Sequence, residues 1–102
     1  MSIKKQYDKK KQVCKVTFTL PKKIANSAKN VSLVGDFNGW NPEVNPMKRR
    51  KDGAFDLTIN LDQGNAYEFR YLLDGNSWEN DDSADNYVPT PFGDTDNSVI
   101  TL

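Results

Sequence analysis

From Cys14 the chain alternates: Cys14, Val16, Phe18 and Leu20 fall on one side, Lys15, Thr17 and Thr19 on the other. A period of two puts each set on one face of an extended strand, so this segment reads as a half-buried β-strand ended by Pro21. The pattern returns in residues 54–61, where Phe55, Leu57, Ile59 and Leu61 share a face. It returns again in residues 66–73, with Tyr67, Phe69, Tyr71 and Leu73 inward and Glu68, Arg70 and Leu72 outward. Val31–Gly35 is a short apolar strand, residues 47–50 a brief one, and residues 98–102 a closing one. Between them stand turn signals: an Asn-, Gly- and Pro-rich loop over 36–46, Lys51-Asp52-Gly53, residues 62–65, and Asp74-Gly75-Asn76. Residues 22–30 form a polar connection with room for one helical turn, and no segment carries convincing helical periodicity. Strands recurring roughly every ten residues between turns predict an all-β sandwich or small barrel.

With 102 residues, no internal repeat and one hydrophobic pattern, a single domain is expected. The absence of His removes Ser–His and Cys–His dyads and His metal ligands. A single Cys removes intramolecular disulfides and thiolate zinc clusters, leaving Cys14 as a small core residue. No apolar run approaches the roughly 20 residues of a membrane span. The start lacks the apolar region of a secretory signal. A soluble, cytoplasmic protein with no membrane partner is expected.

Lys and Arg total 14 against 14 Asp and Glu, but the balance hides a gradient. Residues 1–30 carry nine Lys against Asp8 alone, whereas residues 74–102 carry seven acids and no Lys or Arg. A basic start can serve as an arm for nucleic acid or an anionic surface. Here Tyr7 alone accompanies Lys4, Lys5, Lys9, Lys10 and Lys11, without an array of stacking aromatics. Residues 1–12 therefore read as a disordered basic tail running into a Lys-studded edge strand, with no nucleic-acid partner, and 13–102 as the folded domain.

Asp81, Asp82 and Asp85 lie in a polar segment that reads as a solvated loop rather than a rigid pair of catalytic carboxylates. Residues 81–86 also lack the central Gly and final Glu of an EF-hand loop, so neither catalysis nor a metal is expected. Trp40 and Trp78 stand apart: each falls in a turn-rich stretch just beyond an apolar strand. Two readings stay open from the residues alone. Both indoles are core residues under loops, or both are exposed and offer flat faces to the C–H face of a sugar ring. Arg70, outward by alternation, offers fixed donors to hydroxyl oxygens, or is an ordinary exposed arginine. Asn97 can donate and accept, or is a turn residue before the last strand.

Three ordered blocks carry a family resemblance. They are Val31-Ser32-Leu33-Val34-Gly35-Asp36-Phe37-Asn38-Gly39-Trp40-Asn41, the block from Tyr67 to Trp78, and the block from Pro91 to Ile100. Together they resemble the family 48 carbohydrate-binding modules, the isoamylase-type early-set domains that precede branching and debranching enzymes. They are also similar to the glycogen-binding domain of the AMP-activated protein kinase beta subunit. The similarity covers about residues 13–102. It implies an Ig-like β-sandwich of the early-set type with about seven to eight antiparallel strands. It also implies non-catalytic binding of α-1,4-glucan, with no cofactor. Trp40 and Trp78 match the tryptophans on which the family stacks glucose rings. Arg70 stands where the kinase subunits have a lysine that hydrogen-bonds hydroxyls, and Phe92 where they have a leucine against the glucan. Thr95 and Asn97 match polar residues of the same loop. Ser77 is an extra residue before Trp78, and the loop from Phe92 to Asn97 is one residue longer. The implied partners are an α-glucan and a glycogen-metabolising enzyme or other protein. The rival expectation is an early-set module with no active sugar site, used for structure or protein contact. Buried or splayed tryptophans would favour it.

Overall fold

The computed structural model describes residues 2–25, 27–90 and 95–102. Among the described residues nine strands form two antiparallel sheets: β1 (Ser2–Asp8), β2 (Val13–Leu20), β3 (Val31–Gly35), β4 (Lys48–Arg49), β5 (Phe55–Asp62), β6 (Ala66–Leu73), β7 (Ser77–Glu79), β8 (Asn86–Pro89) and β9 (Asp96–Thr101). The first sheet runs β1-β2-β5-β4; the second runs β3-β6-β9-β8, with β7 also on β6. One helical turn, α1 (Lys22–Ala25), and a 3-10 turn over Asp36–Asn38 are the only helical pieces described. Among the described residues no helix is long and apolar enough to cross a membrane.

The alternation that defines the strands also builds the core. Cys14, Val16, Phe18 and Leu20 of β2 are fully buried, as are Leu33 of β3, Phe69 and Tyr71 of β6 and Ile100 of β9. Phe18 meets Phe69 edge-on with centroids 5.2 Å apart, which joins the two sheets at their centre. Phe37 and Tyr67 pack against the rim of this cluster.

The first segment departs from expectation. Residues 2–8 are a strand rather than a disordered tail, paired with β2 from Ser2↔Thr19 to Asp8↔Val13. Ile3 packs against the core. Asp8 Oδ1 accepts the N–H groups of Lys10 and Lys11, closing the turn. Lys5 Nζ reaches Asp85 Oδ2 at 2.7 Å and the Thr101 carbonyl at 3.1 Å, across the sandwich edge. Backbone pairing and these contacts supply what the polar composition lacks. β1 and β8 bring the strand count above the expected seven to eight.

The acidic loop also differs. Asp81 is fully buried rather than solvated. Its Oδ2 accepts the Tyr71 hydroxyl at 2.6 Å and its Oδ1 the Ser83 N–H at 2.7 Å. Its own N–H donates to Ser98 Oγ, whose hydroxyl bonds Asn80 Oδ1. Tyr87 donates its hydroxyl to the Asp81 carbonyl. Burial raises the Asp81 carboxyl above its ordinary range, although the Tyr71 and Ser83 hydrogen bonds favour its charge. Burial first, then the adjacent Asp81 charge, pushes the Tyr71 hydroxyl well above its usual value. This network ties the segment after β7 to β6 and β9.

Candidate functional site

The outer face of the second sheet carries an open cavity of about 630 Å³. Five of the six residues singled out in the sequence line it: Trp40, Arg70, Trp78, Thr95 and Asn97. Phe92, the sixth, lies outside the described residues. Strand alternation explains the convergence. Arg70 and Glu68 are half-buried and share one face of β6, Asn97 lies beyond the β6–β9 ladder that ends at Phe69↔Ser98, and Trp78 sits opposite Leu72. Neither tryptophan is a core residue: Trp78 is 43% exposed and Trp40 half-buried. Trp78 is on a strand, not in the turn where the sequence placed it.

Trp40 is held by a compact turn. Its backbone takes a left-handed conformation, φ 58°, directly after Gly39 at φ 66°. That region is costly for a bulky residue, so surrounding contacts must fix it. Its N–H donates to the Gly35 carbonyl at 3.0 Å. Asn38 braces the turn from inside: Oδ1 accepts the Gly35 N–H, and Nδ2 donates to the Leu33 carbonyl and Asn45 Oδ1. The indole Nε1–H donates to Asp36 Oδ1 at 2.9 Å.

On the other wall, the Arg70 guanidinium carbon lies 5.3 Å from the centroid of the Trp78 ring, a cation–π contact. Arg70 Nε is buried and meets no acceptor among the described residues. Asn97 is buried, not a solvated turn residue, and donates from Nδ2 to Glu68 Oε1 at 3.1 Å. Thr90 N–H donates to the Thr95 carbonyl at 3.0 Å, placing both threonines at the cavity edge.

The sequence reading missed Asp36, Glu68 and Thr90 as lining residues. Alternation on β6 already put Glu68 on the Arg70 face, so that one was legible. Asp36 and Thr90 carry no pattern that would single them out. Among the described residues no three His, Cys, Asp or Glu side chains gather as a metal site. Asp81 and Asp85 are instead engaged by hydrogen bonds. Two indoles, a guanidinium, an amide, hydroxyls and carboxylates thus surround one open cavity. That combination suits an uncharged, hydroxyl-rich ligand with an apolar face.

Comparison with known proteins gives a concordant picture. Residues 8–88 match the model of the carbohydrate-binding module 48 (isoamylase N-terminal domain) family. The chain is similar to the 1,4-alpha-glucan branching enzyme GlgB of Synechococcus elongatus, 42% identical over 60 residues, which are 57% of the chain and 8% of that enzyme. It is 39% identical over 56 residues to "Protein PTST homolog 2, chloroplastic" of Arabidopsis thaliana, covering 55% of the chain and 10% of that protein. The GlgB of Chlamydia caviae is 47% identical over 50 residues, 47% of the chain and 7% of the enzyme. The matches therefore span about a tenth or less of these relatives.

Proposed function

Because the chain belongs to the carbohydrate-binding module 48 family, we propose that it binds α-1,4-linked glucan, such as glycogen or a maltooligosaccharide, without catalysing a reaction on it. The observation that carries this reading is the shared cavity: both tryptophans line it beside Arg70, Thr95 and Asn97. A glucose ring has C–H faces and a hydroxyl rim. In this reading Trp40 and Trp78 stack on the faces, while Arg70, Thr95 and Asn97 hydrogen-bond the rim and Phe92 adds apolar contact. Stacking dominates, since burying an indole against a ring outweighs exposed hydrogen bonds for which water competes.

The relatives named as branching enzymes support a role beside a glycogen-metabolising enzyme, with the module holding polysaccharide near the catalyst. A cytoplasmic location belongs to the same reading.

The test is titration with glycogen, maltoheptaose and β-cyclodextrin, read by tryptophan fluorescence and amide NMR. Binding should perturb the two indoles and the β6 amides. Trp40→Ala or Trp78→Ala should abolish retention on glycogen while the amide spectrum stays dispersed. Unchanged wild-type spectra at millimolar ligand would sink the reading and leave the protein-contact module.

A further inference from the structure

We propose that Asp36 is a positioning residue for the cavity, its carboxylate spanning the Trp40 indole N–H and the Glu68 backbone N–H so as to set the angle of the Trp40 ring. Oδ1 accepts from Trp40 Nε1 at 2.9 Å and Oδ2 from Glu68 N at 2.8 Å. One side chain thereby ties the loop-borne indole to β6, the strand that carries Glu68 and Arg70.

The backbone explains why Asp36 can do this. Gly35 ends β3 opposite Phe69, so Glu68 lies one residue beyond the ladder and β3 offers its N–H no partner. A Cβ at Gly35 would lie 2.5 Å from the Glu68 carbonyl oxygen and 2.8 Å from Phe69 Cβ. Only glycine permits that approach. The approach brings the next side chain, Asp36, to the open N–H, and the turn over Asp36–Asn38 returns Trp40 to its second oxygen. Asp36 has no ion-pair partner among the described residues. Its two oxygens serve these two donors, and the left-handed Trp40 backbone is a conformation that needs such a tether.

Carboxylate chemistry is required. Asn has the same shape but one acceptor oxygen, so it can serve only one donor and turns an amide N–H toward the other. Asp36→Asn should shift the Trp40 indole resonance, speed its hydrogen exchange, and weaken maltoheptaose binding by roughly tenfold. Trp40→Phe keeps a ring and removes the indole N–H. Adding Asp36→Asn to Trp40→Phe should therefore cost much less further affinity than Asp36→Asn costs the wild type.

The affinity arm rests on the glucan reading; the indole arm does not. In the unliganded wild type, the Trp40 indole N–H should exchange more slowly than that of Trp78, which has no acceptor among the described residues. This comparison needs no variant, so it decides the matter even if Asp36→Asn fails to fold. Equal exchange rates, or an equal affinity loss from Asp36→Asn in both backgrounds, would overturn the proposal. A protected Trp40 indole in a protein that binds no glucan would keep Asp36 as the tether and discard the glucan reading.

Discussion

Trp40 and Trp78 line one cavity, yet the chain holds them by different means. Trp40 stands on a loop and is fixed by contacts within five residues: the Gly35 carbonyl and Asp36. Trp78 stands on β7, laddered to Leu72 of β6, with the Arg70 guanidinium against its ring. The segment that follows runs into Asp81, which is buried and bonded to Tyr71, ten residues upstream. One wall is set by polar tethers at the rim. The other is set by the sheet and by a buried network beneath it. Substitutions at the rim should therefore act on Trp40 with little loss of stability, whereas those beneath the sheet should act on stability and on Trp78.

The largest effect should come from Asp81→Ala. It removes the acceptor of the Tyr71 hydroxyl in a fully buried site. An unsatisfied buried donor costs about 1–3 kcal/mol, and the Ser83 N–H loses the same acceptor. Urea denaturation should show a loss of about 2–4 kcal/mol. In the folded fraction, Trp78 resonances should broaden while the Trp40 indole keeps its shift. Equal disturbance of both rings would break the distinction between the walls.

Asp81→Asn separates charge from hydrogen bonding. The amide can still accept the Ser83 N–H, and its NH2 can donate to the Tyr71 oxygen. That reverses the Tyr71 bond and costs the Tyr71 O–H its acceptor at every pH, so the charge is read from the pH dependence. Since burial raises the Asp81 carboxyl, the folded protein holds that proton more tightly than the unfolded chain. The Asp81 contribution is then most favourable in acid and is lost as pH rises above about 4, the ordinary aspartate range. Relative to wild type, Asp81→Asn should gain stability between acid and neutral pH. Parallel stability–pH curves for the two proteins would show that the carboxyl is not raised.

The contrast between the walls also marks what the sequence could reveal. β2, β5 and β6 were legible because each is largely half-buried and its alternation follows that burial, except at Leu72, which the alternation pointed outward and which is buried. The outward direction of Arg70 was legible from the β6 alternation, whereas the residues alone left Trp40 and Trp78 open between core and surface, and only the family resemblance favoured the surface. β1 was not, because its residues are polar and its stability comes from pairing with β2 and from Lys5 reaching Asp85. Asp81 was not, because a lone carboxylate in a polar stretch looks solvated. Its partners lie ten residues upstream on β6 and seventeen downstream on β9. Local pattern reports burial of apolar faces; it does not report polar groups satisfied across the fold.

Arg70 sharpens the comparison with a smaller effect. Arg70→Met keeps a flexible apolar stem beside Trp78 and removes the cation–π contact, worth about 0.5–1 kcal/mol at a partly exposed site. It also removes the buried Nε that meets no acceptor, which offsets that loss. Net stability should change by less than about 1 kcal/mol. Trp78 fluorescence should change, and the Trp40 indole should not. A shift of both would mean that the guanidinium couples the two walls.

The smallest effect tests the far end of the same acidic segment, where the basic start of the chain meets its acidic end. Burial alone would raise the Asp85 carboxyl. The Lys5 hydrogen bond, the Thr101 N–H and the Lys5 charge outweigh it and hold the carboxyl below its ordinary value. A lowered carboxyl contributes stability above the ordinary aspartate range, and that contribution is lost as pH falls through its folded value. Its sign is opposite to that of Asp81, only four residues away. The pair is at the surface, with side chains 23% and 37% exposed. Lys5→Met should therefore cost no more than about 1 kcal/mol at neutral pH and low salt, and less in high salt. The cost should shrink in acid, whereas the Asp81→Ala cost should persist in salt because its partners are buried. Hydrogen exchange should show the loss in β1 and in the Thr101 N–H, with no change at Trp40. If Lys5→Met loosens Trp78 as strongly as Asp81→Ala does, the surface pair rather than the buried network holds that wall.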